Sequence, residues 1–157
     1  MDRYAIERIE GMRPSDRREV VFLISVTDTE VNAHVAFGEL DEKRDRLVRD
    51  RFDYWIDGGI SDGYFHGWPN DPANRECFCF RWKQKRQHHR LYGFLHNPQP
   101  RTRPRFQICV LTTHATKNDW TTDPHDLGKA NEMRIHPCVL AAMAMTFNDD
   151  LVKPWLN

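Results

Sequence analysis

The chain has 157 residues, 39% of them hydrophobic, which is enough to bury a core without disulfides or metals. This length predicts a single domain over residues 1–157. No apolar run approaches the roughly 20 residues that cross a bilayer, and the charged start MDRYAIERIEG lacks the apolar stretch of a signal peptide. These features argue against a membrane partner and predict a cytoplasmic protein.

The four cysteines, Cys77, Cys79, Cys109 and Cys138, lie in apolar or strand-like sequence and lack the spacing of a disulfide framework. We expect all four to be buried, reduced thiols. The Cys77-x-Cys79 pair also lacks the two-residue gap of a zinc knuckle and has no matching second pair in the sequence. The sequence therefore predicts neither a metal nor another cofactor.

The net charge is zero, but the charges are segregated along the chain. Residues 1–76 carry 11 basic and 17 acidic side chains, and residues 119–157 carry three basic and six acidic ones. The segment between them has nine cations and no carboxylate: Arg81, Lys83, Lys85, Arg86, Arg90, Arg101, Arg103, Arg105 and Lys117. Such a segment favours contact with phosphate groups.

The first half of the chain reads as a strand followed by helical structure. Glu19–Val26 is apolar and β-branched, as in a buried strand, and Asp28 after it can cap a helix. Apolar residues recur at helical spacing over Glu39–Asp57, including Phe52, and Gly58 and Gly59 follow that helix. Residues 60–75 are rich in Gly, Pro, Asn and Asp and predict a long loop.

Three strands are predicted next, in an antiparallel meander. In CFCFRWK the aromatic side chains alternate with polar and thiol side chains, so Phe80 and Trp82 face the core while Arg81 and Lys83 face the other way. HRLYGFLH, with a buried Leu91, and FQICVLTTH complete the meander after polar loops. The Glu19–Val26 strand should pair into this sheet, and the Glu39–Asp57 helix should cover its apolar face.

The C-terminal part predicts two helices. Pro124 suits a first helical turn with Thr122 or Asp123 as its cap, and Pro137 ends that helix. Val139–Phe147 can form a second short helix. The fold class is therefore α+β: a strand, two helices, a three-strand meander and C-terminal helices, with a twisted antiparallel sheet.

This order and the segments RWKQ, RLYGF, ICVLTTHATKNDWTTDP and LGKANEMR resemble the phage-derived HigB-like branch of the RelE/ParE toxin superfamily. The resemblance covers about residues 19–134 and implies a RelE-like core at about 19–136 with extensions at both ends. It also implies the toxin of a type II toxin–antitoxin system, a ribosome-dependent endoribonuclease that cleaves mRNA and arrests translation. Its partners would be mRNA, the ribosome and a cognate antitoxin protein.

Carried over by position, Arg81 and Arg90 match the arginines of the first two meander strands, and Lys117 matches the first of a lysine pair. Asn118 stands at the second lysine, and the family's Thr-Pro pair is interrupted as Thr122-Asp123-Pro124.

RNA cleavage by the 2′-hydroxyl needs a base, charge stabilisation and an acid. A lysine among cations can act as base, while arginines hold phosphate. The resemblance and this chemistry predict Arg81, Arg90 and Lys117 as catalytic, with His89 or His114 as the acid. Predicted RNA contacts are Lys83, Lys85, Arg86, Tyr92 and Asn118.

Each of these residues also has a structural interpretation. Arg81 and Arg90 could belong to a solvated sheet face or form salt bridges, and Tyr92 could be part of the core. Two other functions stay open: a non-catalytic RNA- or protein-binding module on the same fold, which the altered lysine and Thr-Pro pairs favour, and a ParE-type gyrase inhibitor.

Overall fold

A computed structural model describes residues 3–13, 15–97, 106–119 and 121–147, which form an α+β structure with a six-stranded mixed sheet and four helices. The elements are β1 (Tyr4–Arg8), β2 (Arg18–Ser25), α1 (Ala33–Gly38), α2 (Glu42–Ile56), β3 (Phe65–Gly67), β4 (Cys77–Gln84), β5 (Gln87–His96), β6 (Gln107–Lys117), α3 (Pro124–Ile135) and α4 (Pro137–Thr146). Among the described helices, none has both the length and the apolar character needed to span a membrane.

The strands lie in the order β1-β2-β6-β5-β4-β3. The predicted antiparallel meander of β4, β5 and β6 is confirmed. The predicted Glu19–Val26 strand is β2, and it joins the sheet beside β6 in a parallel pair, with Val21 opposite Val110. The prediction of an entirely antiparallel sheet is therefore wrong. Both strands carry continuous apolar runs that are buried on both faces, the pattern usual in parallel pairs.

Two edge strands were not predicted. β1 lies in the N-terminal extension and pairs with β2, while β3 lies in the segment predicted to be a long loop. β3 contains only three residues, and Phe65 pairs with Phe80 of β4. A strand this short has too few positions to show an alternating pattern, so its pairing depends on the neighbouring strand.

The predicted Glu39–Asp57 helix begins later, at Glu42, because Asp41 caps it by accepting a hydrogen bond from the Arg44 N–H at 2.9 Å. A separate short helix, α1, precedes it. Asp28 does not cap a helix. Its carboxylate accepts a hydrogen bond from the Glu30 N–H in a local turn and forms an ion pair with Lys129 on α3.

The sheet is covered on both faces. Phe52 of α2 packs edge-to-face on Phe80, with ring centroids 4.8 Å apart, and Trp82 and Leu91 are buried on the same side, as predicted. On the other side α3 and α4 cover an apolar cluster that includes Phe94, Val110 and Met133. α3 also packs Leu127 and Ala130 over the Cys77 end of β4.

The two C-terminal helices confirm the predicted caps. The Asp123 carboxylate accepts the His125 N–H at 2.9 Å, Pro124 opens α3, and Pro137 opens α4 after α3 has ended at Ile135.

Three cysteines are buried, and burial raises the pKa of Cys79 to about 12, so that thiol is inert as a nucleophile. Cys138 is exposed on α4, contrary to the prediction that all four are buried. It follows Pro137 directly in the first turn of that helix, where its side chain does not face the core.

Candidate nucleic-acid interface

The structure brings three of the predicted site residues to one face of the sheet. Arg81 on β4 is directly opposite Arg90 on β5, and Ala115 on β6 is opposite Arg90 on the other side. Lys117 lies two residues beyond Ala115, so it projects to the same face. We call Arg81, Arg90 and Lys117 the cationic row. α3 covers the neighbouring part of this face, and the row lies beyond its N-terminal end.

Arg90 is the centre of the row and is only 1% exposed. The two N–H groups of its Nη1 have three acceptors within hydrogen-bond distance: the Tyr92 hydroxyl at 2.8 Å, the Thr121 carbonyl at 3.0 Å and the Thr122 hydroxyl at 3.1 Å. Its Nε and Nη2 are buried, and among the described residues neither has a hydrogen-bond acceptor. These two nitrogens form one edge of the guanidinium, which an anion can bind through two oxygens.

The other two cations have partners of different kinds. The Nη2 of Arg81 donates to the Asp62 carbonyl in the loop before β3. Lys117 pairs with the carboxylates of Asp123 at 3.5 Å and Asp126 at 4.0 Å. The groups that pair with Lys117 are thus carboxylates at the start of α3, whereas the sequence predicts a lysine surrounded by cations.

His89 and His114 lie on the opposite face of the sheet, so they are separated from the cationic row. His89 and Leu91 are the neighbours of Arg90 in β5, so both project to the face opposite Arg90. His114 pairs with Leu91 and therefore projects to that same face. The two imidazoles are 3.0 Å apart, Nδ1 of His89 to Nε2 of His114, and both stack with Trp82. Burial lowers the pKa of both, that of His114 to about 4. His89 and His114, the two residues predicted as the acid, are therefore on the other face of the sheet from Arg90.

Tyr92 shares a face with Arg90 but is fully buried. Trp68 stacks on its ring with centroids 6.4 Å apart, and burial raises the pKa of its hydroxyl, although the Arg90 hydrogen bond lowers it. The predicted stacking of Tyr92 on an RNA base is therefore incompatible with its position, because its ring is already covered. The Tyr92 hydroxyl instead accepts a hydrogen bond from Arg90 and holds the guanidinium in place.

The remaining predicted RNA contacts lie together at one end of the sheet. Lys83, Lys85 and Arg86 are exposed on the β4–β5 hairpin, and Asn118 is exposed just after β6. Lys85 and Arg86 form the two-residue turn with φ of 50° and 66°, the left-handed backbone that a tight hairpin turn of this kind requires. Arg101, Arg103 and Arg105 lie outside the described residues.

Sequence reasoning missed two titratable residues on the same face. His66 on β3 pairs with Cys79, and its pKa is lowered by burial and by the charges of Arg81 and Arg90. Burial raises the pKa of Asp126 on α3, although Lys117 opposes this. No sequence signal marks His66, because the composition of its segment predicts a loop, whereas the cap predicted at Asp123 puts Asp126 in the first turn of α3.

The described part of the chain holds no group of three or more His, Cys, Asp or Glu side chains that could bind a metal ion. Comparisons with protein-family models, with curated proteins and with solved structures found no match to this chain. The function must therefore be argued from the geometry of the cationic row and its surroundings.

Proposed function

We propose that this protein is a RelE/HigB-like toxin, a ribosome-dependent endoribonuclease that cleaves mRNA and is held inactive by an antitoxin partner. The order of the elements supports this proposal. β2, the two helices α1 and α2, the meander β4–β6 and the closing helix α3 follow the layout that the sequence resemblance implied. The proposed RelE-like core thus runs from β2 to the end of α3.

The buried, half-satisfied guanidinium of Arg90 carries the proposal. A buried cationic group with two unpaired donors costs folding free energy, on the order of 1 to 3 kcal/mol for a single unsatisfied group. Such a cost is understandable if a ligand supplies the acceptors. A phosphate fits because two of its oxygens match the Nε–Nη2 edge. Access requires movement of the segment at Thr121 and Thr122, which holds Nη1 and is accessible to solvent.

The three cations have distinct roles in the proposed reaction. Arg90 holds the scissile phosphate, and Arg81, directly across the strand pair, adds positive charge as negative charge develops on phosphorus. Lys117 contributes charge from β6, with its ammonium positioned by Asp123 and Asp126. The substrate is RNA because the reaction uses the 2′-hydroxyl that DNA lacks.

The hairpin cations serve binding rather than chemistry. Lys83 near the end of β4 and Lys85 and Arg86 in the β4–β5 turn are exposed, unlike Arg90, so they can contact the phosphates of ribosomal or messenger RNA. Contacts of this kind position a protein without reading sequence.

A second function, a non-catalytic RNA-binding module, is favoured by two observations. The predicted acids His89 and His114 are on the other face, and Lys117 is paired with carboxylates. A module of this kind would use the same cations to hold RNA but would leave the chain intact.

One assay separates the two functions. Purified protein is mixed with ribosomes carrying a defined mRNA, bound protein is measured by sedimentation, and mRNA ends are mapped by primer extension. The toxin proposal predicts new 5′ ends that require the ribosome. Binding without new ends would favour the module, and the absence of both would contradict both functions.

A further inference from the structure

A cavity of about 270 Å³ opens at the β3 edge of the sheet, and its lining includes Asp62, whose carbonyl accepts a hydrogen bond from Arg81. His66 lines it together with the aromatic side chains of Phe65, Trp68 and Phe78. Arg75 and Asp62 add polar groups to its wall. An apolar, aromatic cavity with a few polar groups is a usual binding place for a small flat molecule such as a nucleobase.

His66 connects this cavity to the cationic row. It projects to the same face as Cys79, its partner on β4, and Arg81 lies two residues further along that strand on the same face. The His66 and Trp68 rings pack perpendicular to each other, with centroids 4.7 Å apart and planes at 90°. The imidazole thus lies between a base-sized cavity and the Arg81–Arg90 pair. The neighbouring Trp68 ring holds its orientation.

The geometry points to His66 as the general base of the proposed ribonuclease, acting on the nucleotide whose base occupies this cavity; the inference rests on the proposed function. His66 accepts the proton of the 2′-hydroxyl while the 2′ oxygen forms its bond to phosphorus and the bond to the 5′ oxygen breaks. The 5′ oxygen takes a proton from water, and the hydroxide so formed is neutralised by the imidazolium. The products are a 2′,3′-cyclic phosphate and a 5′-hydroxyl.

The charged surroundings suit a base. Burial is the main cause that lowers the pKa of His66, Arg81 and Arg90 lower it further, and Asp62 opposes them. The titratable and charged groups facing His66 from the packed elements are Asp62, Arg75, Cys79, Arg81 and Arg90. A lowered pKa keeps the imidazole neutral, and so able to accept a proton, at neutral pH.

The test is the pH dependence of ribosome-bound mRNA cleavage by the full chain and two variants. His66→Gln keeps a polar side chain of similar reach but removes the base, so cleavage should fall on the order of a hundredfold or more, with loss of the acidic limb of the rate profile. His34 is another partly buried histidine, but it lies on α1 and not on the sheet, so His34→Gln is the matched control and should cleave like the wild type.

The possible failures are distinguishable. If the wild type cleaves and His66→Gln cleaves equally well, the role of His66 is overturned while the proposed function stands. The same conclusion follows if the acidic limb of the rate profile survives the substitution. The same holds if His114→Gln, on the opposite face, abolishes cleavage and His66→Gln does not. If the wild type binds ribosomes but leaves mRNA intact, the proposed function fails, and the role of His66 fails with it.

Discussion

Arg90 and Tyr92 project to the same side of β5, and the Arg90 Nη1 donates a 2.8 Å hydrogen bond to the Tyr92 hydroxyl. Tyr92 in turn is fixed by burial and by its stacking with Trp68. The guanidinium is therefore oriented by a side chain that cannot itself move freely. This fixes which edge of Arg90 has no acceptor among the described residues and gives the proposed phosphate site a defined direction.

Gly93 marks the irregularity between β5 and β6, and the structure predicts that it tolerates no side chain. A Cβ at this position would collide with the carbonyl oxygen and backbone of Val110. We expect Gly93→Ala to lower the free energy of unfolding by roughly 3 kcal/mol or more, as overpacking against an immobile backbone does. Urea unfolding followed by circular dichroism measures this.

Gly128 is the matched control for that substitution. It lies within α3, and an added Cβ there meets nothing within 4 Å. Because alanine favours helix over glycine, Gly128→Ala should raise the free energy of unfolding by up to about 1 kcal/mol. Equal effects of the two substitutions would show that the β5–β6 register described above is wrong.

The His89–His114 pair predicts a loss of stability in acid. The folded pKa of His114 is about 4, below its ordinary 6.5, so between these values the unfolded chain binds more protons than the folded one. The contribution of His114 is therefore fully present above about pH 6.5 and is lost as the pH falls towards 4. After allowance for the partial exposure of the ring, it amounts to about 1 to 2 kcal/mol.

The measurement compares urea unfolding of the wild type and His114→Gln at about pH 7 and about pH 4.5. The wild type should lose more stability on acidification than the variant, because glutamine does not titrate. A variant with the same pH dependence as the wild type would mean that His114 is solvated in the folded protein.

The hairpin cations predict the salt dependence of ribosome binding. Replacing Lys83, Lys85 and Arg86 by Gln removes up to three phosphate contacts, so the slope of log affinity against log salt should decrease by about 2. Sedimentation with ribosomes at rising salt measures the slope.

The control for the hairpin variant removes the same number of charges elsewhere. Arg13, Lys43 and Arg46 are exposed, and they lie before β2 and on α2 rather than on the meander. Their replacement by Gln should leave the slope nearly unchanged. A similar decrease in both variants would indicate a general charge effect and would remove the hairpin from the interface.

The meander and the helix caps could be predicted because their signals are local. The alternation in CFCFRWK and the Asp123-Pro124 pair each specify structure within a few residues. The direction of β2 could not be predicted, since parallel and antiparallel pairing depend on how the chain returns after α1 and α2. β3 could not be predicted either, since its pairing is supplied by β4.

The site shows the same division. Alternation along β5 predicts that Arg90 and Tyr92 share a face, and the structure agrees. The same alternation places His89, one of the two predicted acids, on the opposite face from Arg90. His66 could not be found, because it reaches the cationic row through an edge strand and not through a sequence motif.

Arg90 is the residue on which the proposed function depends most. Removing its guanidinium should cost ~3 to 4 kcal/mol of transition-state stabilisation, a loss of a few hundredfold or more in cleavage rate. Arg90→Met keeps the length of the side chain and suits a buried position, and Arg90→Lys keeps the charge but loses the two-nitrogen edge. Both variants are checked for folding by thermal unfolding before use.

The most direct measurement is the single-turnover rate of mRNA cleavage on purified ribosomes, mapped by primer extension, for the wild type, both Arg90 variants and Arg46→Met. Arg46 is exposed on α2 and serves as the control. We predict ribosome-dependent cleavage by the wild type and Arg46→Met, and a loss of a few hundredfold in folded Arg90→Met and Arg90→Lys. Cleavage at the wild-type rate by either folded Arg90 variant would contradict the proposed phosphate site.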